Sequence, residues 1–212
     1  MPVEVAPLLD GVKPETVNGV DLFALPQAVI AVGGIGEKFA RRAAEVAIGF
    51  AQPKLLLSAG IVGAISPKLR VGEVGRIREV VEVATGARYL TSSGGDWVLA
   101  TSQDVSDAAE KRELLTKYGA DVVDMEAAAV AQVAKERGLE FAAIKSISDD
   151  AEFEMPPMNR FIEEGKFDTR SFLVYIALRP RWWPTLGKIK KNSALAAANL
   201  CRAVEHLIAS GQ

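Results

Sequence analysis

The chain alternates short runs of β-branched apolar residues with stretches of helical periodicity. Ala28, Val29, Ile30, Ala31 and Val32 form an unbroken apolar run halted by Gly33 and Gly34, which predicts a buried strand. Over residues 37–50, Phe39, Ala40, Ala43, Ala44, Ala47 and Ile48 recur at helical spacing until Pro53 ends the pattern. Residues 54–59 predict a second buried strand, stopped at Gly60. Extended structure is predicted at 74–83, 96–100 and 141–147, and helices at 106–118 and 126–137, the latter ended by Gly138. Strands rich in Val, Ile and Leu that alternate with helices predict an α/β domain whose largely parallel sheet is covered on both faces. Residues 151–168 read as an irregular excursion, and the helical stretches beyond it are expected to break at Arg179-Pro180 and Trp183-Pro184.

Composition narrows the chemistry. The 212 residues suit one ordinary domain, and 49% hydrophobic with 25% charged residues describes a globular chain. One Cys and one His exclude a disulfide framework and a zinc site built on a Cys/His cluster. A His-dependent triad would have to use His206. Carboxylates, hydroxyls, backbone amides or a borrowed ion are left to do the work. The net charge of −2 argues against a nucleic-acid partner, but it hides an asymmetry. Residues 169–212 carry seven Lys/Arg (Arg170, Arg179, Arg181, Lys188, Lys190, Lys191, Arg202) against Glu205, a charge of +6 that leaves −8 on residues 1–168. No apolar run reaches the roughly 18 residues of a membrane span, and Met1-Pro2-Val3-Glu4 has no signal-peptide character, so a cytoplasmic setting is expected.

Four features fall on consecutive strand ends. Gly33-Gly34-Ile35-Gly36 follows a strand and opens a helix, where amides can hold an anion or polar ligand, or simply make a tight turn. Phe39 stands where a dinucleotide fingerprint needs glycine, which argues against a Rossmann cofactor site. Ser58-Ala59-Gly60-Ile61-Val62-Gly63-Ala64 reads as a second glycine turn, either lining a ligand crevice or allowing chain to pack closely on chain. Asp124-Met125-Glu126 starts a helix, where a carboxylate caps the helix or accepts hydrogen bonds from a vicinal diol such as ribose. Ser148-Asp149-Asp150 closes a strong strand, as a turn or as a part-buried general acid.

The run from Ser58 through Val71-Gly72-Glu73, then Val123-Asp124-Met125-Glu126-Ala127, then Ile144-Lys145-Ser146-Ile147-Ser148-Asp149, resembles the purine nucleoside phosphorylase and methylthioadenosine/S-adenosylhomocysteine nucleosidase superfamily. The resemblance spans about residues 28–150. It implies one domain over residues 1–212, a three-layer α/β/α sandwich with a mixed, largely parallel central sheet, and a homo-oligomer. It implies that Glu126 binds the ribose hydroxyls with Met125 packed on the sugar, and that Asp149, preceded by Ser148, protonates the purine. Gly34 and Gly36 would lie beside the sugar and the nucleophile, and Gly60 near base and ribose. Glu4, in a Met-x-x-Glu-Val pattern, would activate the attacking water. No metal or organic cofactor is implied; phosphate would be a co-substrate if cleavage were phosphorolytic.

The chain departs from the family in three places. It starts too late for the apolar strand that precedes the family's water-activating Glu, so either the sheet lacks that first strand or the native start lies upstream. The base-binding segment falls near Ser102, Gln103, Asp104 and Val105, without the aromatic of the nucleosidases. Residues 151–212 form a divergent, basic, Trp-bearing region in which Pro156-Pro157-Met158, residues 177–184 and Asn192-Ser193-Ala194 resemble the hopanoid-associated, adenosylhopane nucleosidase-like branch. Cleavage of a small-molecule purine nucleoside by water is therefore expected, since Arg41, Arg42, Arg76 and Arg78 are not obviously phosphate ligands. The alternatives are a phosphorylase and a silent nucleoside-binding homologue. The C-terminal mix of basic and aromatic residues adds an expected peripheral membrane contact that admits a lipid-linked nucleoside, against the plainer reading of a core helix with a subunit interface.

Overall fold

A computed structural model describes residues 5–9 and 11–210. The first strands, β1 (Glu15–Val17), β2 (Val20–Ala24) and β3 (Val29–Val32), form a small antiparallel sheet of their own. The β1–β2 hairpin turns through Asn18 and Gly19, both at positive φ, the backbone that a two-residue turn needs to match strand twist. The run expected to be a fully buried strand is β3; it is half-buried and pairs with β2 instead of joining the central sheet.

The central sheet holds β4 (Leu55–Ala64), β5 (Val74–Glu82), β6 (Arg88–Leu90), β7 (Trp97–Thr101), β8 (Val122–Asp124) and β9 (Glu140–Asp149), in the order β6-β5-β7-β8-β4-β9. β5 also pairs with β9, so the sheet curls until it closes on itself. Pairing is mixed. It is parallel for β4–β9, β5–β7 and β7–β8, and antiparallel for β4–β8, β5–β6 and β5–β9.

Among the described residues there are five α-helices: α1 (Glu37–Ala51), α2 (Ala108–Tyr118), α3 (Ala127–Arg137), α4 (Thr169–Ala177) and α5 (Trp183–Ser210). Strand alternation divides the side chains between two faces. Leu56, Val62, Val80, Leu99, Val122, Ala143 and Ile147 pack with α3 alanines and Ala44 of α1. On the other face Val81, Val98, Ala100 and Val123 meet Leu114 of α2, while Leu57, Ala59 and Ile144 meet Leu200 and Val204 of α5. This is the layered α/β arrangement expected. Local signals set the helix ends: Asp107 and Glu110 form a capping box on α2, and Gly119 and Gly138 close α2 and α3 in the left-handed conformation.

Two expected breaks do not occur. β4 runs through Gly60 to Ala64, because Ile61, Val62 and Ala64 keep the alternation and the strand stays paired with β9. Residues 58–64 are therefore strand, not turn. Pro184 lies at the second position of α5, where its missing N–H costs no helical bond. The excursion is irregular as expected, apart from a 3-10 turn at Met158–Phe161 and the two-residue strands β10 (Ile162–Glu163) and β11 (Lys166–Phe167).

Candidate functional site

The ends of β4, β8 and β9 converge on one residue. Gly63 of β4 pairs with Val123 on one side and with Asp149 on the other. Asp124-Met125-Glu126 follows β8 and Ser148-Asp149 closes β9, so the two most specific sequence motifs belong to the two strands that flank Gly63.

At the start of α3 two carboxylates divide the labour. Asp124 is buried, and its Oδ2 accepts from the Ala127 N–H at 3.1 Å, a capping bond on α3. The same oxygen lies 2.8 Å from Lys145 Nζ, and Oδ1 accepts from Thr101 Oγ1 at 2.8 Å. Glu126 makes no capping bond. Its Oε1 accepts from the Gly36 N–H at 2.9 Å and its Oε2 from the Met125 N–H at 3.3 Å. Burial raises the Glu126 pKa above the ordinary carboxylate range, and the nearby Asp124 charge adds to this, against the opposing pull of the Gly36 amide. Gly36 has φ 93° and Gly34 φ 122°, which lets the loop turn its amide onto a carboxylate ninety residues away.

Asp149 is placed by a bulge. The β4–β9 register jumps from Val62↔Ile147 to Gly63↔Asp149, so Ser148 is the extra residue and Asp149 shares Gly63's face. There Oδ2 meets Lys111 Nζ of α2 at 2.5 Å, and Oδ1 lies 2.8 Å from Ser148 Oγ. The Ser148 hydroxyl has Val62 O at 3.1 Å as its alternative acceptor. Lys111 is 2% exposed and also donates to Asp150 O at 2.9 Å. A Cβ on Gly63 would come within 2.9 Å of Asp149 Oδ2 and 3.2 Å of Lys111 Nζ, so the bare glycine is what lets the lysine reach across the strand.

Residues of the excursion bridge the two loops beside Glu126. Gly165 O accepts from the Ile35 N–H at 2.8 Å, and Asn159 exchanges hydrogen bonds with the Val105 backbone. The segment lacking an aromatic is thereby tied to one that carries several: Phe161, Phe167, Phe172 and Tyr175 stack edge-on just beyond Asn159.

The structure joins Gly36, Met125 and Glu126 in one hydrogen-bonded group, and Ser148 and Asp149 in another at the end of β9. Gly34 lies in the adjoining loop, packed under Gly165. Gly60 lies deeper, in mid-strand opposite Lys145. Glu4 lies outside the described residues. The arginines go elsewhere. Arg41 pairs with Glu45 and Glu136, Arg42 lies over the Phe39 ring, and Arg76 and Arg78 are exposed. His206 lines a separate pocket of about 320 Å³ with Ala203 and Leu207 of α5, Arg76 and Ile144.

Lys111 and Lys145 were missed from sequence, though both left a signal. Lys145 interrupts an otherwise apolar strand, and Lys111 lies three residues before Leu114 on the buried stripe of α2. A lysine in either place needs a buried anion.

Residues 93–171 match the model of the phosphorylase superfamily, a segment that contains both the Asp124-Met125-Glu126 and the Ser148-Asp149 motifs. The superfamily resemblance thus rests on sequence there and on fold across nearly the whole chain. The 5′-methylthioadenosine nucleosidase of Arabidopsis thaliana has a TM-score of 0.74 at 15% identity, over 98% of this chain and 91% of that one. The 5′-methylthioadenosine/S-adenosylhomocysteine nucleosidase of Neisseria meningitidis, in complex with methylthio-immucillin-A, has a TM-score of 0.73 at 18% identity, over 99% and 96%. The futalosine hydrolase of Helicobacter pylori has 0.68 at 18% identity, over 98% and 95%. No curated protein matches the chain.

Proposed function

We propose that this chain is a nucleosidase that hydrolyses the N-glycosidic bond of a purine nucleoside of the adenine type. The observation that carries the reading is that Asp149 closes one of the strands flanking Gly63 and Glu126 opens the helix that follows the other, its carboxylate held by the Gly36 amide. Such a bond breaks through an oxocarbenium-like sugar and a departing base. Glu126, oriented by the Gly36 and Met125 amides, would accept the ribose hydroxyls. Asp149, with Ser148 on its free oxygen, would pass a proton to the base, a contribution of roughly 100- to 10,000-fold in rate. Glu4 is the proposed water-activating base. That solved relatives of the fold hold an adenosine-type inhibitor or adenine supports the choice of base. Water is favoured over phosphate because Arg41 is already engaged by two carboxylates. Release of free adenine in phosphate-free buffer is the expected result. Strict dependence on phosphate would make the chain a phosphorylase, and adenosine binding without turnover would make it a silent homologue.

A second, finer reading concerns the substrate's other end. Leu173, Val174, Leu178 and Trp183 are exposed on α4 and the start of α5. They stand among Arg170, Arg179, Arg181 and Lys188. This surface suits an anionic lipid interface and hence a lipid-linked nucleoside. A two-fold contact through it would bring like charges together, which disfavours a second copy as its occupant. Trp fluorescence should shift on anionic liposomes and not on neutral ones; no shift on either would sink the idea.

A further inference from the structure

The acid of the proposed reaction carries a partner that the resemblance did not supply. Asp149 and Lys111 are both almost wholly buried and touch at 2.5 Å, and Lys111 is anchored a second time on Asp150 O. Gly63 leaves room for the contact, and the bulge at Ser148 turns Asp149 towards it. Buried lysines are costly unless paired, so α2 has to deliver this one to a specific anion.

We propose that Lys111 is the positioning residue of Asp149: anchored on Asp150 O, it holds the carboxyl by Oδ2 in the orientation from which Asp149 passes its proton to the base. The inference rests on the nucleosidase reading above. As the glycosidic C–N bond breaks, its electron pair moves onto the base nitrogen and the proton of Asp149 joins it there. Water then gives hydroxide to the sugar carbon; its remaining proton passes to Glu4, the proposed water-activating base, and returns through solvent to Asp149. Atoms and charge balance with no other reactant. Lys111 acts only through Asp149, which distinguishes it from a lysine that merely supports the fold.

The test is a double-mutant cycle read on two substrates. With adenosine, Lys111→Met and Asp149→Asn should each lower kcat by roughly 100-fold or more. The double variant should be no slower than Asp149→Asn alone. With 4-nitrophenyl riboside, whose leaving group departs without a proton, all three should lose far less than they lose with adenosine. Losses that multiply in the double variant, or equal losses on both substrates, would overturn the proposal. Lys111→Met leaves a buried carboxyl without its cation, so thermal midpoints accompany the rates; the double variant, which removes both charges, keeps the cycle readable if the single one is unstable. Should the parent cleave neither substrate, the nucleosidase reading falls by itself. The same cycle run on adenine affinity by calorimetry then decides on Lys111: no further loss in the double variant upholds its action through Asp149, and additive losses overturn it.

Discussion

Two lysine–aspartate pairs are buried among the described residues, and they are built differently. Lys145–Asp124 is stitched into the fold from all sides: Asp124 caps α3 and accepts from Thr101, Thr101 accepts from the Ala128 N–H, and Lys145 also donates to Ser58. Each polar atom serves the docking of α3 on β4, β7 and β9. Lys111–Asp149 lies at a strand end over a bare glycine, and its aspartate has only Lys111 and Ser148 for company. A fully satisfied buried network specifies structure, whereas a sparsely satisfied one at a strand end has capacity left for a ligand. The same chemistry is structural in one place and available for reaction in the other.

The largest expected effects should separate the two. Asp149→Asn should reduce adenosine turnover by roughly 100- to 10,000-fold; it leaves Lys111 an acceptor but no anion, so its loss of unfolding stability should be real but smaller than that of a variant that removes the acceptor as well. Asp124→Ala should do the reverse in kind. Stripping Lys145 of its anion and α3 of its cap should cost about 3–5 kcal/mol of unfolding free energy. If Asp124→Ala unfolds no more easily than Asp149→Asn, the division between the pairs is wrong.

Glu126 lies between these extremes, and its prediction has a sign. Burial raises its pKa in the folded state, so the folded chain favours the protonated form. The stability gained that way is fully present below the ordinary carboxylate pKa and is lost as pH rises through the raised one. Glu126→Gln should therefore be more stable than the parent at neutral pH, with the difference closing on acidification. Its affinity for a nucleoside should fall by roughly 10-fold or more, since charge-assisted acceptors are lost. Thermal melts across pH together with ligand titrations check both halves; a variant less stable than the parent at neutral pH would contradict the sign.

Much of this contrast was legible in the sequence, and the illegible part has a common cause. Helices α1 and α3 fall within a residue or so of their periodic patterns, because caps and apolar spacing are local. The Asn18-Gly19 hairpin was equally local and could have been read from that dipeptide. What composition and spacing could not give is register. The bulge that redirects Asp149, the Gly36–Glu126 bond and the closure of β5 onto β9 each depend on how strands distant in sequence align. Gly60 was taken for a stop for the same reason: whether a glycine ends a strand or runs through it depends on the partner strand, and here β9 holds it in place. The two lysines stood in plain sight as charges at buried positions, but only the alignment names their anions.

Gly63→Ala sharpens the comparison at its hinge point. The added methyl would press on Asp149 Oδ2 and on Lys111, and it would touch neither member of the other pair. Overpacking of this kind costs roughly 1–3 kcal/mol. The expected outcome is a moderate loss of stability with a disproportionate fall in turnover. An alanine variant that keeps parental kcat would mean that the Lys111–Asp149 contact can be loosened without consequence.

The smallest effect belongs to a third pair that has the charges without the burial. Arg41 reaches Glu136 at 2.7 Å and Glu45 at 3.2 Å across the surface between α1 and α3. Both carboxylates are nearly half exposed, so water and salt screen what the geometry offers. Arg41→Ala should cost no more than about 1 kcal/mol, and the difference from the parent should fade as salt is raised. Lys145→Met, measured in the same salt series, should show a deficit that salt leaves nearly unchanged, because its partner is shielded from solvent. A deficit in Arg41→Ala as large and as insensitive to salt would mean that geometry, not burial, ranks the ion pairs of this fold, and the contrast between the two buried pairs would then need another basis.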